Sequence, residues 1–159
     1  MNVKKYELRV TEDRIPYLQP VGETKLTDRE KWNQQKKIVE LIRKVFDASH
    51  SLQESVYLVC FDNKLQLLGV FEVCRGTADM APIDNAQLMT RVLLCGAQTF
   101  AIVHNHPSGV ADPSDNDIQV TERVSMAAQL MGLKMIDHII IAGAGREGYY
   151  SFRKEKFLL

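Results

Sequence analysis

The stretch Val56-Tyr57-Leu58-Val59-Cys60-Phe61 is apolar at nearly every position. A run this short is a strand rather than a core helix, and without polar alternation it has no face to turn toward water. It therefore predicts a strand covered on both sides, which a layered fold supplies and a single exposed sheet does not. After Asp62-Asn63-Lys64 comes a second apolar run, Leu65 to Val73, so the pair reads as a β-hairpin. Thr99 to Val103 reads as a short buried strand, Met135 to Ile141 as another, and Gly148 to Phe152 as a final one.

The covering layers must come from helices. Ile38, Leu41, Ile42, Val45 and Phe46 recur at helical spacing, with Lys36, Lys37, Arg43 and Lys44 mostly on the other side. Thr27-Asp28-Arg29-Glu30 ahead of them has the spacing of a capping box, which predicts an amphipathic helix over roughly residues 28–48. Its basic side is read as a solvated face. Asp84 predicts the cap of a second helix reaching about Cys95 and ended by Gly96, after a loop over Arg75 to Ala81. Ser114 predicts the cap of a third, running to about Met131 with Gly132 as its stop. In Met1 to Leu26 a short strand is expected around Tyr6 to Val10, then irregular structure at Pro16 and Pro20. A leading helix followed by β-β-α-β-α-β-β describes an α/β fold, a mixed β-sheet flanked by helices. Its 159 residues suit one domain. Residues 1–51 form its N-terminal strand or loop and amphipathic helix, and 52–159 its core.

Twenty basic residues balance twenty acidic ones, so net charge draws the chain neither to nucleic acid nor to an anionic membrane. Cys60, Cys74 and Cys95 are odd in number, lie in apolar runs and form no CxxC pair, which suits buried free thiols in a reducing compartment. Met1 to Arg9 are charged and carry no apolar signal segment, and no run is long enough to span a bilayer. The expectation is a soluble, cytoplasmic protein.

The chemistry concentrates in His104-Asn105-His106-Pro107-Ser108-Gly109 and Pro113-Ser114-Asp115-Asn116-Asp117. Side chains alternate along an extended backbone, so His104 and His106 point to one side and can reach one metal ion. Asp117, in the first turn of the next helix, can be folded back as a third ligand. Two His and one carboxylate leave a fourth position for water, the arrangement of catalytic zinc. Taken singly, each residue has a plainer explanation: Asp117 is a favourable charge at a helix N-terminus and Ser114 is an N-cap. Jointly, at a strand-to-helix junction, they point to about one zinc ion per chain.

These residues carry a resemblance. His104-x-His106, seven residues, Ser114, two residues and Asp117 match the JAMM (MPN) metalloprotease motif position for position. The words His-Asn-His-Pro-Ser-Gly at 104–109, Pro113-Ser114, Asp137-His138 and Tyr150-Ser151 are similar to its RadC branch. The resemblance covers about Leu52 to Leu159 and implies the three-layer fold shared by MPN and cytidine-deaminase-like proteins. It also implies a glutamate at the start of an upstream core strand, a place that Glu54 occupies, with Glu72 the poorer candidate. On that resemblance Glu54 is the general acid/base and Ser114 a hydrogen-bond donor to the oxyanion of an amide under attack by water. The implied activity is that of a metallopeptidase or isopeptidase with an unidentified peptide or isopeptide substrate. His138 has two readings, a core histidine satisfied by a backbone carbonyl or a group standing behind the zinc ligands.

RadC-like proteins are associated with DNA repair, so the role could be binding or processing DNA. Met1 to Ser51 contains no paired glycine-containing hairpin motif of the helix-hairpin-helix kind, which makes the chain resemble a short, stand-alone form and weakens that reading. A zinc nucleobase deaminase needs a Pro-Cys-x-x-Cys pair that this sequence lacks. A non-enzymatic MPN scaffold would have lost metal ligands that are retained here.

Overall fold

A computed structural model describes residues 1–26, 32–76 and 83–157. The elements in chain order are β1 (Asn2–Val10), β2 (Pro16–Lys25), α1 (Gln35–Phe46), β3 (Ser55–Phe61), β4 (Leu67–Arg75), α2 (Asn85–Leu94), β5 (Thr99–His106), α3 (Asp115–Leu130), β6 (Lys134–Ala142) and β7 (Tyr149–Ser151). The seven strands form one mixed sheet in the order β2-β1-β4-β3-β5-β6-β7.

The apolar run at 56–61 behaves as expected. β3 lies at the centre of the sheet between β4 and β5, and every one of its residues is buried. Its side chains divide by parity, as strand geometry requires. Tyr57, Val59 and Phe61 pack with Ile38, Leu41 and Ile42 of α1 in one core. Val56, Leu58 and Cys60 pack with Leu88 and Val92 of α2 and Val120 and Val124 of α3 in the other. A polar residue at any of these positions would be buried in one layer or the other. The architecture is therefore helix, sheet, helices: an α/β fold consistent with the MPN-like three-layer arrangement.

The N-terminus differs from expectation. Residues 2–25 form an antiparallel hairpin with one register shift, β1 with β2, joined to the main sheet by β1. Pro16 and Pro20 do not break it, because β2 pairs with β1 alone and is an edge strand. Pro16 is its first residue, and Pro20 sits at a register shift where Lys5 faces Gly22 and Tyr6 faces Pro20. Edges and bulges are where a strand tolerates proline. The leading helix is also shorter than 28–48. It starts after Gln34, whose side chain makes no cap bond, and ends at Asp47, which has a left-handed backbone (φ 51). The predicted capping box at Thr27–Glu30 lies outside the described residues, as do residues 77–81 of the predicted loop.

The other helix boundaries follow their signals. The Asp84 side chain accepts from the Ala86 N–H at 2.9 Å, and Ser114 caps α3. The three thiols are free, but only Cys60 is fully buried, whereas Cys74 and Cys95 are partly exposed. Among the described residues no helix is long and apolar enough to cross a membrane.

Candidate metal centre

The sheet register explains how distant residues meet. β3 and β5 are antiparallel, with Val56 opposite His104. Continued by two residues, that register sets Glu54 opposite His106, at the end of the sheet where the parallel strand β5 finishes. Open α/β sheets bind ligands beyond such carboxyl ends. From there the chain passes into α3, whose buried stripe is Asp117, Val120, Thr121, Val124 and Ala128. The stripe is apolar over the core and polar at its N-terminal end, where it lies over the histidines. Glu54, His104, His106 and Asp117 each offer a ligand atom, all within 4.8 Å of one another, and this group could hold a metal ion.

The distances suit a small ion. The two Nε2 atoms of His104 and His106 are 3.0 Å apart. His104 Nε2 lies 3.2 Å from Asp117 Oδ1, and His106 Nε2 lies 3.5 Å from Asp117 Oδ2. Atoms bound at ~2.0–2.1 Å in a tetrahedron stand roughly 3.3–3.4 Å apart.

The surrounding bonds fix which ring nitrogens are bare. His106 Nδ1 is 2.9 Å from the Val110 carbonyl, which can only accept, so Nδ1 carries the proton. Thr121 Oγ1 donates to the Asp117 carbonyl at 2.6 Å and so accepts from His138 Nδ1, also at 2.6 Å. His138 Nε2 is then bare and accepts from His104 Nδ1 at 2.8 Å. Burial, and next the charge of His104, push His138 well below the ordinary histidine range, which keeps this ring neutral. In that arrangement the Nε2 lone pairs of both His104 and His106 point inward. Burial alone would raise Asp117. Without a metal, a proton on these Nε2 atoms lets His104 and His106 hydrogen-bond it, and those bonds, with that from Ser114, hold its carboxyl far below the usual range. Burial works against protonating His106, yet Asp117 and the Val110 carbonyl raise its pKa on balance. Two lone pairs and a carboxylate thus compete for one cation, a proton or a metal.

Ser114 is the predicted N-cap. The Asp117 N–H donates to its Oγ at 3.2 Å, and its own N–H donates to Asp117 Oδ2 at 2.8 Å. Its hydroxyl also donates to Asp117 Oδ2 at 2.6 Å. The cap therefore braces a candidate ligand and leaves Oδ1 toward His104.

Of the two readings of His138, the core histidine bonded to a backbone carbonyl is not what the structure holds. The ring is fully buried, bonds His104 and Thr121, and stacks on Phe152 at 5.0 Å between centroids. Its neighbour Asp137 faces the opposite core and accepts from Ser151 Oγ at 2.7 Å, so the two C-terminal words meet as well. His138→Ala is expected to lower metal affinity about 10–100-fold, the usual cost of losing an outer partner of a histidine ligand. Competition titration with a zinc chelator measures this.

Three contributors were not singled out from the sequence. Thr121 is legible in retrospect, one helical turn beyond Asp117 on the same stripe. Asn105 points away from the histidines and clamps the chain beside Glu54. Its Oδ1 accepts from the Ser55 N–H at 2.9 Å, and its Nδ2 donates to the Gln53 carbonyl at 3.1 Å. Asn105→Ala leaves a buried N–H without a partner and should cost about 1–3 kcal/mol in chemical denaturation. Gly143 donates its N–H to the His106 carbonyl at 3.0 Å. A Cβ there would sit 2.6 Å from that oxygen, so only glycine fits behind the second histidine.

A profile of the RadC-like JAB domain matches residues 32–157, which include every residue of the centre. The chain belongs to the RadC-like JAB domain family. Among curated relatives, a UPF0758 protein of Thermotoga maritima is 36% identical over 103 residues, covering 65% of this chain and 45% of that protein. A UPF0758 protein of Actinobacillus pleuropneumoniae is 34% identical over 108 residues, covering 67% and 48%. One of Rhodobacter capsulatus is 38% identical over 110 residues, covering 69% and 50%. This RadC-like chain thus spans about half the length of the relatives it matches.

Proposed function

We propose that this RadC-like domain is a zinc-dependent hydrolase of metallopeptidase type, acting on a peptide or isopeptide bond in the cytoplasm. The observation that carries the reading is the convergence of Glu54, His104, His106 and Asp117 within 4.8 Å at the open end of the sheet. His104, His106 and Asp117 are the ligands, a donor set that favours zinc and leaves a position for water or substrate. When bound, zinc polarises a carbonyl and makes water a stronger acid, so that it attacks near neutral pH.

The chain's own groups do the rest. His138 and the Val110 carbonyl keep the two imidazoles in the tautomer that presents Nε2. The Glu54 carboxylate takes a proton from the attacking water and returns it to the departing amine. Asn105 holds the backbone on both sides of Glu54, so the carboxylate is aimed before substrate arrives. Ser114 Oγ turns its hydrogen bond from Asp117 to the developing oxyanion.

Ser114 separates cap from catalysis. Ser114→Ala should cost about 0.5–2 kcal/mol of stability, whereas glycine is nearly as good a cap as serine. Both variants should lose about a hundredfold or more in turnover, since neither has a hydroxyl to donate. Thermal melts, turnover and zinc content of the two variants give the answer. A Ser114→Gly protein as fast as the parent would leave Ser114 a cap and brace only.

The proposal as a whole is tested by a screen of peptide and isopeptide substrates with zinc-loaded protein. Hydrolysis that stops with a chelator and returns with zinc is expected. Salt-dependent DNA binding without hydrolysis would favour the DNA role instead.

A further inference from the structure

β1 and β4 pair in parallel only at Lys5 with Val70 and Tyr6 with Phe71. Beyond those pairs lies a cleft of about 450 Å³ between Glu7–Arg9 of β1 and Glu72–Arg75 of β4, also lined by Arg91 of α2. Most of its charges are already matched. Arg9 pairs with Glu7, and Arg75 forks onto Glu72 at 2.7 and 3.0 Å. The Lys5 ammonium lies over the Phe46 ring, 4.7 Å from its centroid, on the α1 side of the sheet.

Arg91 is the exception. It is only 8% exposed, yet among the described residues no carboxylate pairs with it. Its Nη1 donates to the Gln87 carbonyl and Oε1 at 2.7 and 3.1 Å. Among the described residues its Nη2 has one long contact, 3.5 Å to the Val73 carbonyl, and its Nε has no partner. Buried guanidinium groups are ordinarily paired. Burial also lowers the pKa of Arg91, as expected of a cation short of a counter-charge. The Nε–H and the weakly bonded Nη2–H lie on one edge of the guanidinium, the fork that accepts a carboxylate in two parallel bonds. The Nε is sealed from solvent here, so a carboxylate in the cleft engages both only as the side chain turns toward it. A dianion is less suited, because Glu7 and Glu72 line the same cleft. Among the described residues the backbone of β4 from Glu72 to Arg75 has no strand partner on the β1 side, so an extended chain can add there. The far end of β4 also abuts the centre, since the Gly76 N–H donates to the Glu54 carbonyl at 2.8 Å.

We propose that this cleft is a subsite for an extended peptide bearing an acidic side chain, with Arg91 receiving the carboxylate and the free edge of β4 the peptide backbone. Its service to hydrolysis rests on the function proposed above, whereas the binding does not require turnover.

The test uses the full chain carrying Glu54→Gln, so that bound peptide is not consumed. Two labelled, end-blocked peptides, Ala-Val-Glu-Val-Ala-Gly and its Gln counterpart, are titrated by fluorescence anisotropy. The Glu peptide should bind roughly tenfold more tightly or better, the scale of a charge-assisted hydrogen bond. Arg91→Gln should abolish that preference and Arg91→Lys should keep part of it, with melts confirming that both variants fold. Equal binding of the two peptides, no binding of either, or a preference that survives Arg91→Gln would overturn the proposal. Acetate or inorganic phosphate competing as well as the Glu peptide would overturn its peptide part. A parent that hydrolyses nothing yet discriminates the peptides would sink the hydrolase reading and leave this one standing.

Discussion

Replacing Glu54 with Gln is expected to lower turnover by about 10²–10⁴-fold, the usual contribution of a placed general acid/base, with metal content unchanged. The amide keeps the size of the carboxylate and can hydrogen-bond, but it cannot take a proton from water or return one to an amine. The residue is buried and opposite the end of β5, where the sheet and the Asn105 clamp hold its backbone. Equilibrium denaturation should therefore show a small change beside the loss of rate. If Glu54→Gln lost its metal, Glu54 would be a ligand, since its carboxylate lies within the same 4.8 Å cluster. Undiminished turnover would remove it from proton transfer altogether.

The second large effect is on metal binding. His106→Ala removes one of the three proposed ligands, and its loss should exceed the about 10–100-fold expected for an outer partner such as His138. The predicted order is His106→Ala and His104→Ala weakest, with His138→Ala and Ser114→Gly intermediate, because each of the latter removes a partner that braces a ligand. Isothermal titration with zinc gives that order. The two ligand variants should also respond less to acid, because proton competition for the imidazoles is part of the metal equilibrium. A His106→Ala protein with parental affinity would move the site elsewhere.

How much of this was legible depended on range. The ligand spacing is local: a strand places His104 and His106 on one side, and a cap places Asp117 one turn into a helix. Those rules act within a few residues, and the sequence showed them directly. Glu54 was different. Its position follows from the antiparallel register of β3 on β5, which nothing near residue 54 encodes, and only resemblance to a family pointed there. The Asn105 clamp depends on the same register and went unseen for the same reason. The place of His138, bonded to His104 and stacked on Phe152, needs β6 to lie beside β5 and β7 to return across it. At the N-terminus the local rules misled, because proline disfavours a strand only where its missing N–H is needed. Whether Pro16 and Pro20 face a neighbour depends on β2 being an edge, a property of the whole sheet.

The central claim is that His104, His106 and Asp117 hold a zinc ion. Elemental analysis of the protein as purified from zinc-replete cells, beside His104→Ala prepared identically, tests it most directly. About one zinc per chain in the parent and little in the variant is the expected result. A parent free of transition metal, or a variant that retains as much zinc as the parent, would contradict it.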